Sequence, residues 1–102
     1  MKRRFILSPE AGFDLLNIWR HIGNSTSLRM ADRVESVIRE KLVYLAGNPA
    51  GGHYRRDLTD APVRFFAVYS YLITYRPETK PLQVVAILDG HRDVKQLLGD
   101  RL

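Results

Sequence analysis

The stretch VRFFAVYSYLITYRPETKPLQVVAIL, residues 63–88, carries the pattern that decides the fold. Residues 63–77 alternate in polarity and are rich in aromatic and β-branched side chains, which indicates β-strands rather than a helix. A turn near residues 69–71 divides them into two antiparallel strands. PETKP forms the next turn, and the nearly continuous apolar run from Leu82 to Leu88 predicts a third strand in a central position. We therefore predict a three-stranded meander.

A first helix is predicted to begin at Pro9, after a short strand from Arg3 to Leu7. Ser8 is placed to cap this helix, proline is favoured at the first helical position, and Glu10 faces the positive end of the helix dipole. Gly23, which opens the segment GNSTS, is predicted to be the C-cap. Ala11, Leu15, Ile18, Trp19 and Ile22 share one apolar face, whereas Asp14, Asn17 and Arg20 are expected to face solvent.

A second helix is predicted over residues 28–46, ended by Gly47 and Pro49. Because the connection between the two helices is short, they are expected to pack as an antiparallel hairpin. Trp19 and Phe13 are then core or hairpin-seam residues. The apolar stripe of the second helix consists of Leu28, Ala31, Val34, Ile38, Leu42 and Leu45, widened by Val37.

The predicted element order is therefore β-α-α-β-β-β with a short C-terminal helix from about Asp93. Runs of helix and strand in this order are typical of an α+β fold, here an antiparallel sheet packed on one face against the helical hairpin. Its 102 residues fit a single domain, residues 1–102.

The composition limits the classes of function. The chain has no cysteine, which excludes disulfides, thiolate nucleophiles and thiolate zinc sites and suits a reducing cytoplasm. The N-terminal apolar run, Phe5 to Leu7, is too short for a signal peptide or a membrane span. We therefore expect a cytoplasmic protein with no membrane partner.

The net charge of +5 is unevenly distributed. Residues 1–8 carry three basic and no acidic side chains, residues 9–48 carry five of each, and residues 49–102 carry eight basic and six acidic ones. The excess therefore lies in the first segment and the second half. It is consistent with an anionic partner and equally with ordinary solubilising charge.

The sequence offers no recognisable catalytic or metal motif. Its serines are best explained as helix caps, and none stands in a nucleophile-elbow pattern. The three histidines, His21, His53 and His91, lack the spacing of metal ligands. The loop GNPAGGHYRRDL has no Lys-Ser/Thr ending of a phosphate loop. We therefore expect no metal and no cofactor.

The second half of the chain interleaves cations with aromatic residues. Arginine grips phosphate or carboxylate in a bidentate manner, and tyrosine can stack on bases, so a metal-independent ribonuclease is one interpretation. The other is a solvent face whose arginines pair with Asp57, Asp60, Glu78 and Asp93. The cations are Arg55, Arg56, Arg64, Arg76, His91, Arg92 and Lys95, and the tyrosines are Tyr54, Tyr69, Tyr71 and Tyr75.

The segment DGHRDVKQLL, residues 89–98, is interpreted as a polar elbow between the last strand and the last helix. Asp89 and Gly90 form the turn, and Asp93 is the expected N-cap. His91 is expected to be a packed or hydrogen-bonded polar residue, and Arg92 a cation that faces a phosphate, a carboxylate or a target.

Five segments in order resemble ParE toxins of the RelE/ParE superfamily, the toxic halves of bacterial type II toxin-antitoxin pairs. They are LSPEAGFDLLNIW, LVYLAGNP, YRRDL, VRFFAVYSYLITYRP and VVAILDGHRDVKQLL. The resemblance covers nearly the whole chain and agrees with the predicted element order.

The resemblance implies one of two activities. RelE-like members cleave messenger RNA on the ribosome, and a tyrosine closes their C-terminal motif; ParE-like members lack the catalytic set and poison DNA gyrase. Here Lys95 follows Val94 and the tail has no tyrosine, which favours the gyrase poison. A RelE-type nuclease using Arg64, Arg76, His91 and Arg92 is the alternative, and a non-toxic relative that only binds antitoxin is a third.

The resemblance also implies partners. A ParD-like antitoxin is expected to wrap the toxin with its C-terminal segment and to link the complex to operator DNA. Residues expected to contact the target or the antitoxin are Arg55, Arg56, Arg64, Arg76, Arg92 and Lys95. Residues with expected structural roles are Ser8, Pro9, Trp19, Gly47, Pro49 and Asp93.

Overall fold

The computed structural model describes residues 4–102, so Arg3, the predicted start of the first strand, lies outside the described residues. The elements are β1 (Phe5–Leu7), α1 (Pro9–Ser25), α2 (Leu28–Gly47), a 3₁₀ helix (Pro49–Gly51), β2 (Arg64–Val68), β3 (Tyr71–Arg76), β4 (Leu82–Asp89) and α3 (Val94–Gly99). The predicted α+β class and element order are confirmed.

The four strands form one sheet in the order β1-β4-β3-β2. The meander β2-β3-β4 is antiparallel, and β4 is an interior strand, as predicted. The prediction of an antiparallel sheet is wrong for β1, which pairs with β4 in parallel, Phe5 opposite Leu82. Tight turns force consecutive strands of a meander to be antiparallel, but β1 is separated from β4 by helices and two strands, so no turn fixes its direction.

The start of α1 follows the predicted capping chemistry. The Ser8 hydroxyl accepts a hydrogen bond from the backbone N–H of Ala11 at 3.0 Å and donates one to the carbonyl of Val85 at 3.2 Å. The predicted end at Gly23 is wrong, because α1 continues to Ser25 and Thr26 is its C-cap. A Cβ on Gly23 would lie 3.1 Å from Leu28 Cδ2, so this glycine permits close approach of the two helices.

The helical hairpin has the predicted seam but a different outer surface. Trp19 Nε1 donates to Asp32 Oδ1 across the two helices at 2.8 Å. Phe13, expected in the core or seam, is 65% exposed, and Leu28, expected in the apolar stripe, is 60% exposed. Phe13 lies off the buried face of α1, which Ala11, Leu15 and Ile18 form. Leu28, on the first turn of α2, lies against Gly23 of α1 but leaves most of its side chain open to solvent. Ala31, Val34, Ile38, Leu42 and Leu45 are buried as predicted, with Val37 partly buried beside them.

Both faces of the sheet are covered. On the helix side, Ile73, Tyr75, Val84 and Ile87 pack under α1 and α2. We call the other face the tail side, because α3 and the loop before β2 cover it; its buried residues are Val63, Phe65, Val85, Ala86, Leu88, Val94 and Leu98.

A β-bulge in β4 sets which residues face which side. Thr74 lies opposite Ala86, but Tyr75 lies opposite Val84, so Val85 is an extra residue in β4. A bulge of this kind shifts the alternation of side chains by one position. It explains why Val85 and Ala86, although consecutive, both belong to the tail side.

Candidate functional site

The two sheet arginines proposed for a nuclease lie on opposite faces. Arg64 is paired with Tyr75, whose side chain is in the helix-side core. Arg76 is the next residue of β3, so its side chain points to the tail side, where it borders a cavity with Gln83 and Arg101. A strand directs consecutive side chains to opposite faces, so these two arginines cannot converge on one phosphate.

His91 and Arg92 are remote from Arg76. Arg76 is paired with Gln83 at the start of β4, whereas Asp89 at its end is paired with Tyr71. Six residues of strand span about 20 Å. The structure therefore does not bring Arg64, Arg76, His91 and Arg92 together.

His91 projects into solvent from the elbow. Its side chain is 83% exposed, and both its backbone N–H and its ring Nδ1 lie within hydrogen-bond distance of Asp89 Oδ1, at 2.9 and 3.0 Å. The bond from this backbone N–H is the main cause that lowers the pKa of Asp89. His91 is therefore hydrogen-bonded but not packed, and it helps to define the turn.

Arg92 borders a cavity of about 320 Å³ between α1 and the end of β4, lined by both polar and apolar side chains. Asn17, His21 and Tyr71 also line it. Burial, and secondarily the charge of Asp89, raise the pKa of Tyr71, so its hydroxyl keeps its proton. This cavity can accept a polar group, and Arg92 is its exposed cation.

The remaining tail residues lie at the start of α3. Asp93 caps this helix by accepting a hydrogen bond from the backbone N–H of Gln96 at 3.2 Å. Lys95 is exposed on the first turn of α3. Lys95 therefore offers charge at the surface without a defined pocket.

Arg55 is engaged by a carboxylate in its own loop. Its Nε and Nη2 donate to the two Asp57 carboxylate oxygens at 2.9 and 2.8 Å, which raises the pKa of Arg55 and lowers that of Asp57. Both side chains are exposed. With Tyr69 and His91, Arg55 also borders a shallow depression of about 280 Å³.

Arg56 and Arg64 gather on one aromatic ring. The guanidinium carbon of Arg64 lies 4.3 Å from the centroid of Tyr54, and that of Arg56 lies 5.4 Å from it. Arg64 Nη1 also donates to the carbonyl of Gly52 at 2.9 Å. These contacts hold the Arg64 guanidinium over the ring, with Arg56 nearby, and we call Tyr54, Arg56 and Arg64 the Tyr54 platform.

A buried tyrosine fastens the loop that carries the platform. Tyr75 accepts a hydrogen bond from the Gly52 N–H at 2.9 Å and donates to the Pro49 carbonyl at 2.7 Å. Burial raises the pKa of Tyr75, which keeps the hydroxyl protonated as a donor. The glycine at position 52 is required, because a Cβ there would lie 2.5 Å from the Tyr75 hydroxyl and 2.8 Å from the Phe65 carbonyl.

The sequence analysis missed the ion pair that joins the tail to the helical hairpin. Asp14, predicted to face solvent, is bound by both terminal nitrogens of Arg101, at 2.6 and 3.0 Å. Asp14 also accepts the backbone N–H of Ile87 at 3.0 Å, and Arg101 reaches the carbonyl of Val85 at 3.3 Å. Only 10% of the Asp14 side chain and 16% of the Arg101 side chain are exposed. An aspartate on the polar edge of an amphipathic helix gives no signal for a partner 87 positions away.

A cavity of about 730 Å³ lies beside the end of α2. It is bounded by the last turns of α2, the 3₁₀ helix and the turn before β4, with Arg4 and Lys80 as its charged residues. Its apolar lining is Val43, Ala46, Gly47, Pro49, Pro81 and Leu82.

Two classes of site are not found in the described part of the chain. No three His, Cys, Asp or Glu side chains of residues 4–102 lie close enough together to hold a metal ion. Among the same residues, no helix is long and apolar enough to cross a bilayer.

Comparisons with known proteins identify the family. A family model described as the ParE toxin of the type II toxin-antitoxin system, parDE, matches residues 5–94. A solved structure from the chromosomal ParDE TA system of P. aeruginosa shares the fold, with a TM-score of 0.67 and 21% sequence identity over 81% of this chain and 90% of that chain. No curated protein matches. Since the family model spans all but the ends of the sequence, the chain belongs to the ParE toxin family of type II toxin-antitoxin systems.

Proposed function

We propose that this chain is a growth-inhibiting toxin that acts by binding, with DNA gyrase in the cytoplasm as its target and a ParD-like antitoxin as its inhibitor. Family membership supports a toxin with a cognate antitoxin. The observation that carries the choice of binding over cleavage is the dispersion of the four candidate nuclease residues. Arg64 and Arg76 lie on opposite faces, and His91 and Arg92 lie at the far end of β4.

Cleavage of RNA without a metal needs an acid, a base and a cation around one phosphate. His91, the one imidazole among these four residues, is hydrogen-bonded by Asp89 and points into solvent. The tail also lacks the tyrosine that ends RelE-like sequences. These features support a protein whose cations bind a partner surface.

The concave surfaces support binding of an antitoxin segment. The cavity beside the end of α2 combines apolar walls with Arg4 and Lys80, which suits an amphipathic peptide with acidic residues. Val43, which lines this cavity, and its neighbour Tyr44 are both exposed on α2. Through this antitoxin the complex would reach operator DNA.

Two parallel assays with purified toxin test the proposal. In the first, gyrase converts relaxed plasmid to the supercoiled form; in the second, ribosomes translate a defined messenger RNA. We expect loss of supercoiling that the antitoxin prevents, with the messenger RNA intact. Cut messenger RNA with unaffected gyrase would establish the RelE-type nuclease instead. An antitoxin-binding protein silent in both assays would be the non-toxic relative.

A further inference from the structure

The Tyr54 platform places two like charges together without a compensating carboxylate. Among the described residues, neither Arg56 nor Arg64 forms a salt bridge, although both approach the same ring. The neighbouring Arg55 shows the contrast, because Asp57 binds it through two hydrogen bonds. Cations that converge without a counter-charge create a local positive potential that favours an anion.

One of the two cations, Arg64, is also ordered before a ligand binds. Contact with the Tyr54 ring and the bond from Nη1 to the Gly52 carbonyl hold the Arg64 guanidinium. Its Nε and Nη2 have no hydrogen-bond partner among the described residues and can donate to a ligand. Arg56 makes only a long contact, 3.5 Å, to the Asp60 carbonyl. Side chains that are ordered before binding lose less entropy when a ligand arrives.

An apolar surface adjoins the platform. Tyr44 is 47% exposed, packs against Phe66 at 5.9 Å between ring centroids, and lies against Gly51, the residue before the Gly52 that holds Arg64. Tyr54 itself is 44% exposed. The Tyr44 ring therefore lies beside the segment, Gly51 and Gly52, to which Arg64 is bound.

The charge around the platform favours a carboxylate on a peptide over a nucleic acid. Nucleic acids bind through a run of phosphate contacts, which needs a stripe of unpaired cations. Here Asp57 and Asp60 follow in the same loop, and Arg55 is already engaged by Asp57. One or two carboxylates need only the two unpaired cations of the platform, whereas a run of phosphates needs further cations where this loop has acidic side chains.

We propose that the Tyr54 platform binds an Asp or Glu side chain of the antitoxin's C-terminal segment, with a neighbouring apolar side chain of that segment against Tyr44. This assignment rests on the proposed function, since it requires an antitoxin. It adds an electrostatic anchor to the apolar cavity beside α2 and assigns the specificity of the toxin-antitoxin pair to Arg56 and Arg64.

The test measures the affinity of the antitoxin encoded beside the toxin for four toxin proteins by calorimetry. The proteins are the wild type, Arg56→Gln, Arg64→Met and the matched control Arg55→Gln, which removes the same charge from the same loop. We expect Arg56→Gln and Arg64→Met to lower the affinity about tenfold or more, and we expect this difference from the wild type to become smaller at high salt. Arg55→Gln should change the affinity little, because Asp57 already binds the Arg55 side chain. Circular dichroism of each variant checks the fold, and Arg56→Gln, whose side chain is exposed, gives the result that is independent of folding.

The affinities distinguish a failure of the platform assignment from a failure of the proposed function. Equal affinities for all four proteins, or an equal loss for Arg55→Gln and Arg56→Gln, would overturn the platform assignment and leave the proposed function intact. A wild-type toxin that does not bind the antitoxin would overturn both. A single-stranded oligonucleotide whose binding, unlike that of the antitoxin, depends on Arg56 and Arg64 would assign the platform to nucleic acid instead.

Discussion

Two Arg–Asp ion pairs of this protein have the same chemistry but should contribute very differently to the stability of the fold. The Asp14–Arg101 pair lies at the junction of α1, the β4 bulge and the tail, is largely buried, and bonds to the backbone at Ile87 and Val85. The Arg55–Asp57 pair joins residues two apart in an exposed loop. Shielded charges with additional hydrogen bonds interact strongly, whereas exposed pairs are screened by water and salt. The first pair should hold the fold together, and the second should only shape its loop.

The largest effect should follow from breaking the junction. Asp14→Asn leaves the Arg101 guanidinium without its counter-charge in a nearly closed site, which should lower the free energy of unfolding by about 2–4 kcal/mol. Asp57→Asn is the matched control and should leave the urea midpoint unchanged. Urea denaturation followed by circular dichroism measures both. Equal midpoints for the two variants would contradict the comparison.

The loop that carries the exposed pair should depend on Tyr75 instead. Gly52→Ala puts a methyl group against the Tyr75 hydroxyl and the Phe65 carbonyl, and we expect a loss of about 1–3 kcal/mol in the free energy of unfolding. Gly12→Ala is the control, because the added carbon meets no other part of the fold within 4 Å and alanine is the better helix former. It should raise the free energy of unfolding by about 0.5–1 kcal/mol. If Gly52→Ala left the free energy of unfolding unchanged in the same urea titration, the loop would not depend on its contacts with Tyr75.

A smaller gain is expected on the tail side. Thr74 is fully buried, and its hydroxyl oxygen has no hydrogen-bond partner among the described residues. Thr74→Val keeps the shape of the side chain and removes this polar group. The free energy of unfolding should therefore rise by roughly 0.5–1 kcal/mol, and the melting temperature with it. Calorimetry of the variant measures this change. Thr79→Val is the control: it removes a hydroxyl that accepts a hydrogen bond from the Gln83 N–H, so it should destabilise the protein. A drop for Thr74→Val would reveal a partner for its hydroxyl.

The smallest effect concerns protonation of the exposed pair. The hydrogen bonds from Arg55 lower the pKa of Asp57, so the pair favours the folded state above the ordinary carboxyl pKa and loses this contribution as the pH falls through the lowered value. Arg55→Gln should raise the pKa of Asp57 toward the ordinary value of 3.8. NMR titration of the Asp57 carboxyl carbon measures the shift. An unchanged pKa would show that the pair does not form in solution.

Local signals predicted most of the fold. The caps at Ser8 and Asp93 and the alternation of residues 63–77 act over a few residues, so the sequence reveals them directly. The parallel pairing of β1 depends on contacts between distant segments, which no local pattern specifies. Gly23 shows the same limit, because it serves helix approach rather than helix termination.

The candidate site was harder to predict for a related reason. The sequence places Arg64 and Arg76 in neighbouring strands, but the face that each occupies depends on strand register. The engagement of Arg55 by Asp57 was among the expected surface pairs, since both residues lie in one loop. The Asp14–Arg101 pair could not be expected, because its partners meet only after the whole sheet has formed.

If this ParE-family chain poisons gyrase, as we propose, it must trap the enzyme on plasmid DNA that the enzyme has cut. Purified toxin is incubated with gyrase, ATP and supercoiled plasmid, the reaction is stopped with detergent and protease, and linear DNA is quantified with and without the antitoxin. We expect linear plasmid to accumulate and the antitoxin to abolish this accumulation. Unchanged plasmid at a large excess of folded toxin would show that this chain does not poison gyrase.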